Sequence, residues 1–221
     1  MRSVGLVLAA GAGRRMGAPK ALLRTAEGET WAARAARALG EGGCDRVVVT
    51  TGARAAEVRA GLPPLAGRAP VDAVPVVAWT SGMGASLRAG ISAAWRLELG
   101  LDVLVVTLVD LPDVDAAVVT SLLAAVPPRS HEAVVRAVWD GRAGHPVLLG
   151  RDLLPAAHAE ARGDEGAREL LTRCAGTVLV EQSRRAGSGG DVDLPADLPP
   201  GTRWPGGPGP LPWDDRAGTA C

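Results

Sequence analysis

Val4-Gly5-Leu6-Val7-Leu8-Ala9 runs without a break into Ala10-Gly11-Ala12-Gly13-Arg14-Arg15-Met16-Gly17-Ala18-Pro19-Lys20. The first six residues are a continuous apolar run, the pattern of a strand buried on both faces of a parallel sheet. The glycine-rich stretch after it is a turn whose backbone N–H groups can approach an anion with no side chain in the way. A strand that opens into such a turn predicts an α/β fold with a ligand crevice at the carboxyl ends of its strands. Met1-Arg2 ahead of this run gives it a superficial likeness to a signal peptide. The apolar stretch is short, and a buried strand accounts for it.

Moving outward, helical and strand patterns alternate. Thr30 to Leu39 reads as an Ala-rich helix and Arg46 to Thr51 as a second strand closed by Gly52. Ala55 to Ala60 is a short helix. Ala73 to Trp79 is a strand placed at an edge, because Pro75 has no N–H to donate. Met83 to Leu99 is helical, with Leu87, Ile91, Ala94 and Trp95 on one face. Asp102 to Val109 is the strongest strand in the chain, followed by a helix from Val114 to Val126. Glu132 to Trp139 and Pro146 to Leu149 read as two strands joined by a Gly-rich turn. Helices over 152–161 and 165–174 and a strand over 178–180 complete the pattern. This alternation predicts a three-layer α/β/α, Rossmann-like, doubly wound and mostly parallel sheet. One domain is expected over 1–198. Residues 199–221 hold six Pro and five Gly and read as a tail, with Trp204 and Trp213 as its possible anchors.

Composition narrows the function. The 221 residues are 47% hydrophobic and 22% charged with a formal net charge of +0, which argues against a nonspecific nucleic-acid or lipid binder. No apolar run approaches the roughly 18 residues a membrane span needs. Three widely spaced cysteines (Cys44, Cys174, Cys221) with no CxxC argue against a disulfide scaffold and a zinc site and suit a reducing, cytoplasmic setting. Of 24 basic residues, 23 are Arg and one is Lys20. A compact ammonium retained against such a bias, at the end of the glycine loop, points to work that Arg's planar fork does not do.

The loop fits neither standard phosphate motif. A P-loop needs Gly-Lys-Ser/Thr, and this one reads Gly17-Ala18-Pro19-Lys20. The dinucleotide fingerprint needs GxGxxG, and the spacing from Gly13 to Gly17 is one residue too long. The second strand ends in Thr50-Thr51-Gly52 rather than in an acid for an NAD ribose. Arg54, just beyond, leaves a cofactor with a 2′-phosphate open.

Leu8 to Lys20 resembles instead the signature of the nucleoside-triphosphate transferases, above all the molybdenum-cofactor cytidylyltransferase branch, Ala-Ala-Gly-x-Ser-x-Arg-Met-Gly-x-x-Lys. Gly13 stands where that pattern has Ser. The resemblance continues through Ser81-Gly82-Met83-Gly84-Ala85-Ser86-Leu87, Val109-Asp110-Leu111-Pro112-Asp113, Gly144-His145-Pro146-Val147-Leu148, Gly163-Asp164-Glu165-Gly166-Ala167-Arg168 and Asp191-Val192-Asp193-Leu194-Pro195-Ala196-Asp197-Leu198. Two of these segments also read as helix starts, with Ser81 or Asp113 as the cap.

The resemblance implies Mg²⁺-dependent transfer of a nucleoside monophosphate, CMP from CTP, onto a phosphorylated acceptor such as the molybdopterin cofactor. Ala9, Ala10, Gly11, Ala12, Gly13 and Lys20 would hold the triphosphate. Gly82, Met83 and Ser86 would meet the base, and Arg15 and Lys20 would neutralise the leaving pyrophosphate. Asp110, with Asp191 and Asp193 on one side of an extended segment, would hold Mg²⁺. His145 and Arg168 would face the acceptor. Val109 to Val114 also matches a variant of the family, the nicotine blue oxidoreductases, which implies an NAD(P)H-dependent reductase as the alternative.

Overall fold

A computed structural model describes residues 1–127, 130–183 and 190–204. The remainder of the Pro/Gly-rich tail, Trp213 included, lies outside the described residues.

Eight strands form one sheet: β1 (Ser3–Leu8), β2 (Arg46–Thr51), β3 (Leu65–Ala66), β4 (Ala69–Pro75), β5 (Val103–Leu108), β6 (Val134–Trp139), β7 (Arg142–Gly150) and β8 (Val178–Gln182). Their order is β3-β4-β2-β1-β5-β7-β6-β8. β4, β2, β1 and β5 run parallel, while β7 is antiparallel to both of its neighbours, β5 and β6. The helices are α1 (Trp31–Glu41), α2 (Ala55–Ala60), α3 (Met83–Leu97), α4 (Ala116–Ala124), α5 (Leu154–Glu160) and α6 (Arg168–Arg173).

Alternation along each strand splits the core in two. Val7, Val103, Val105 and Leu148 face one apolar layer with α1 and α4. Leu6, Leu104, Val106 and Leu149 face the other, with α3, α5 and α6. α1 starts because the Thr30 side chain accepts from the Ala33 N–H at 3.2 Å, and it is Ala-rich because it lies flat on the sheet. From β1 the chain winds one way through β2 to β4, then crosses through α3 to β5 on the other side of β1. The carboxyl ends of β1 and β5 therefore flank a topological switch point, where such sheets open a crevice.

Three local readings shift. β4 spans Ala69–Pro75 rather than Ala73 to Trp79, because Ala69 and Pro70 pair with β3 and the ladder with β2 runs from Val71 to Pro75 and stops there. The two-residue strand β3, which hairpins onto the start of β4, had no sequence signal. α4 is capped by Asp115, whose side chain accepts from the Val118 N–H, rather than by Asp113.

Candidate active site

The glycine loop leaves β1 at its carboxyl end. Its root is spoken for by the main chain: the Ala9 N–H donates to Thr50 Oγ1 at 3.2 Å, and the Ala10 carbonyl accepts from the Ala53 N–H at 3.0 Å. Ala9 and Ala10 are buried and hold the loop without lining the cavity beyond it. Gly11, Ala12 and Gly13 do line it. Gly13 sits at φ +60°, and a Cβ there would fall 1.9 Å from the Ala18 carbonyl oxygen. The serine of the family pattern therefore has no room in this loop, which accounts for the departure. Space opens on all sides of a Cβ at Gly11, so only a ligand would require glycine there. Met16, fully buried, pins the far side of the loop.

Opposite stands the start of α3. Gly82, at φ +105°, is its cap, and Ser81 instead donates to the Ala78 carbonyl. A side chain at Gly82 would collide with the Gly163 carbonyl, 2.5 Å away. Bare glycine lets the segment between α5 and α6 close on the helix: the Gly84 N–H donates to the Gly163 carbonyl at 2.7 Å, and the Met83 N–H to Asp164 Oδ1 at 3.3 Å.

Between these walls lies a cavity of about 540 Å³, lined by Gly11 to Arg14, Lys20, Trp79 to Met83, Ser86, Leu108 to Asp110 and Asp164. Trp79 and Asp164 were not among the expected site residues. Asp164 carried a signal only as part of the Gly163-Asp164-Glu165-Gly166 turn, and Trp79 carried none. Lys20 projects its ammonium between two carboxylates, 2.7 Å from Asp110 Oδ2 and 2.9 Å from Asp193 Oδ1. Burial lowers the lysine's proton affinity, but the two acids outweigh it and hold its pKa above the ordinary value. The same pairing holds Asp193 below the usual carboxylate range.

The three acids expected on one metal do not gather. Asp193 meets Lys20, Asp191 lines a different cavity, and among the described residues no three His, Cys, Asp or Glu side chains are placed to hold an ion. Val192 is buried in the core between exposed Asp191 and Asp193, the alternation of an extended segment, yet the two acids meet different partners: Asp193 is drawn to Lys20 and Asp191 borders the second cavity. Asp110 alone fits a divalent cation. Its Oδ2 holds Lys20, while Oδ1 is buried without a hydrogen-bond partner on a residue that lines the cavity. One carboxylate oxygen completed by substrate phosphates is how small hard cations are commonly bound.

The loop after β5 passes from this cavity to a second. Leu108 to Asp110 line the first, and Leu111, Asp113 and Val114 the second, a cavity of about 450 Å³ shared with Trp139, Asp140, Arg142 to His145, Gly190 and Asp191. Arg34 on α1 holds this loop, donating to the carbonyls of Leu111 (2.6 Å), Pro112 (2.8 Å) and Val114 (3.3 Å). His145 lies on β7 within the second cavity. Burial, then the Arg136 charge, push its pKa down to about 4, against a smaller upward pull from Asp110. It is therefore a neutral ring at pH 7. Arg15 lines a shallow groove with Arg14, Lys20 and Asp193 on the outer side of the loop. Arg168 is exposed at the start of α6 and lines neither cavity, so it does not join His145. Trp204 packs against the core, and no described helix is long and apolar enough to cross a membrane.

Comparison with known proteins bears on this geometry. Residues 5–178 match the model of the MobA-like NTP transferase domain. A nicotine blue oxidoreductase of Paenarthrobacter nicotinovorans is 35% identical over 197 residues, 86% of this chain and 91% of that one. The crystal structure of Rv0371c from Mycobacterium tuberculosis H37Rv superposes with a TM-score of 0.70 at 24% identity, over 89% of this chain and 95% of that one. It has also been solved with manganese. A nucleotidyl transferase from Methanothermobacter thermautotrophicus gives a TM-score of 0.69 at 23% identity, over 89% and 94% of the two chains.

Proposed function

Because the chain belongs to the MobA-like NTP transferase family, and is on that ground a nucleotidyltransferase, we propose that it transfers CMP from CTP to a phosphorylated acceptor of the molybdopterin kind, releasing pyrophosphate. One observation carries the reading. The glycine cradle, Lys20 and a carboxylate with a buried open oxygen all face one cavity at the switch point of the sheet.

In this reading Gly11, Ala12 and Gly13 hold the triphosphate through their main chain. Lys20 and Arg15 offset the charge that builds on the leaving pyrophosphate, with Arg14 beside them. The base lies toward Gly82, Met83 and Ser86, where Asp164 offers an acceptor-only carboxylate. That suits a base presenting an exocyclic amino group, as cytosine does and uracil does not. Asp110 would hold Mg²⁺, which when bound screens the phosphate charges and activates them as a Lewis acid. The acceptor occupies the second cavity, on the other side of the loop that bears Asp110, with His145 as a neutral hydrogen-bonding ring. An acceptor phosphate oxygen then forms a bond to the α-phosphorus, and the bond to the β-phosphate oxygen breaks, its electron pair leaving with pyrophosphate. No covalent enzyme intermediate is required; the catalysis is positioning and electrostatics. The free thiols of Cys44 and Cys174 agree with a cytoplasmic enzyme.

The 35% identical oxidoreductase favours a second reading, an NAD(P)H-dependent reductase on the same cradle. Against it, Arg54, the side chain suited to a 2′-phosphate, is already paired with Glu57. Titration calorimetry separates the two. The transferase reading expects Mg²⁺-dependent CTP binding that Asp110→Ala abolishes. NADPH binding without any triphosphate affinity would establish the reductase instead.

A further inference from the structure

Residues 190–204 follow the region matched by the family model, yet they reach the site. Val192 is 1% exposed, and its N–H donates to the Asp110 carbonyl at 3.2 Å. Asp197 Oδ2 accepts from the N–H groups of Asp193 (3.3 Å) and Leu194 (2.9 Å), fixing the turn that bears Asp193. Farther on, Arg203 and Arg24 exchange two backbone hydrogen bonds of 2.8 Å, and Trp204 packs on the core. Arg24 lies four residues beyond Lys20 on the same short segment. The C-terminal stretch thus grips the lysine-bearing segment at two points, Asp193 on Lys20 and Arg203 on Arg24.

Two carboxylates for one ammonium calls for a reason. Asp110 serves both Lys20 and the cavity, whereas Asp193 does not line that cavity. Positive charge brought to the open oxygen of Asp110 weakens that acid's hold on the lysine, because two cations then share one carboxylate. Asp193 lies outside that competition.

We propose that residues 190–204 are a strap that positions Lys20, with Asp193 as the positioning residue that keeps the ammonium at the cavity wall when Asp110 is engaged elsewhere. The proposal rests on the nucleotidyltransfer reading only for why Lys20 matters. It gives Asp193 to the lysine rather than to a cation.

Lys20 is the chain's single lysine, so protein made with lysine labelled ¹³C at Cε and ¹⁵N at Nζ reports this side chain alone. A pinned lysine shows two inequivalent Hε protons, and a freely rotating one shows them merged. The protons are expected to stay inequivalent in the wild type, with and without Mg²⁺, and in Asp110→Asn. They should merge in the double variant Asp110→Asn/Asp193→Asn and in Asp110→Asn/Asp197→Ala, which disturbs only the turn. Both strap positions are exposed, and unchanged backbone amide spectra verify the fold. Merging in Asp110→Asn alone overturns the proposal, since Asp193 would then not hold the lysine. So does merging on addition of Mg²⁺, which would mean that the cation takes both acids. Inequivalence that survives in both double variants overturns it too. No nucleotide is present, so the result does not depend on whether CTP binds.

Discussion

The two cavities on either side of Asp110 are built of different material. The first is walled on two sides by glycine-bearing turns, Gly11 to Gly13 and Gly82 at the head of α3, with Gly13 and Gly82 held by close backbone approaches. The second is walled by large side chains on and beside the β6–β7 hairpin, Trp139, Asp140, Arg142 and His145 among them. A backbone cradle suits a group common to every triphosphate and tolerates little change. A wall of side chains can be re-cut for a new ligand without disturbing the sheet. In this chain the parts suited to a triphosphate and the parts that could select a second ligand are thus set on opposite sides of one loop.

That contrast breaks first at the cradle. Gly13→Ala adds a methyl 1.9 Å from a carbonyl oxygen at a positive φ, so the loop must rearrange. CTP affinity by calorimetry is expected to fall on the order of 100-fold, the upper worth of a hydrogen bond to a charged group. Affinity within a few-fold of wild type would show that the main chain there does not hold the phosphates.

Base selection should respond less. Asp164→Asn replaces an acceptor with a group that can also donate, so discrimination between CTP and UTP is expected to shrink by about 10-fold, one hydrogen bond's worth. An unchanged ratio would move the base away from Asp164.

The smallest effect on nucleotide binding belongs to the second cavity, whose own readout is stability. The pKa of His145 lies at about 4 in the folded chain against an ordinary 6.5. The unfolded chain therefore binds the extra proton between these values, and stability falls as pH drops from about 6.5 toward 4. His145→Gln should flatten this slope, sparing about 3 kcal/mol of the loss at pH 4, as read by denaturant titration at both pH values. CTP affinity at pH 7 should stay as in the wild type, and a joint loss would mean that the two cavities are one site.

Much of this was legible beforehand, for reasons that can be traced. The apolar run of β1, the glycine loop and Asp110 are local signals at strand ends, Lys20 closes that same loop, and parallel α/β topology brings strand ends together. Asp191 and Asp193 keep the two-residue alternation, exposed on either side of buried Val192, but alternation says nothing of what each acid meets: Asp193 pairs with Lys20 and Asp191 lines the second cavity. Arg168 misled because proximity to a motif is not proximity to a cavity. Trp79 reads locally as the end of a strand, since nothing in its neighbourhood announces that the ladder stops at Pro75.

The sequence by itself determined the alternation of strands and helices, the phosphate-type loop and the carboxylate at the end of the strongest strand. Each depends on periodicity, glycine conformation or the edge of a buried run, which are properties of short segments. Only the tertiary structure decided that Asp193 pairs with Lys20, that Asp164 closes on α3, and that the loop after β5 divides two cavities. Those pairings join residues 173, 81 and roughly 30 positions apart. They follow from how elements pack around the sheet, and packing distance is not written in sequence distance.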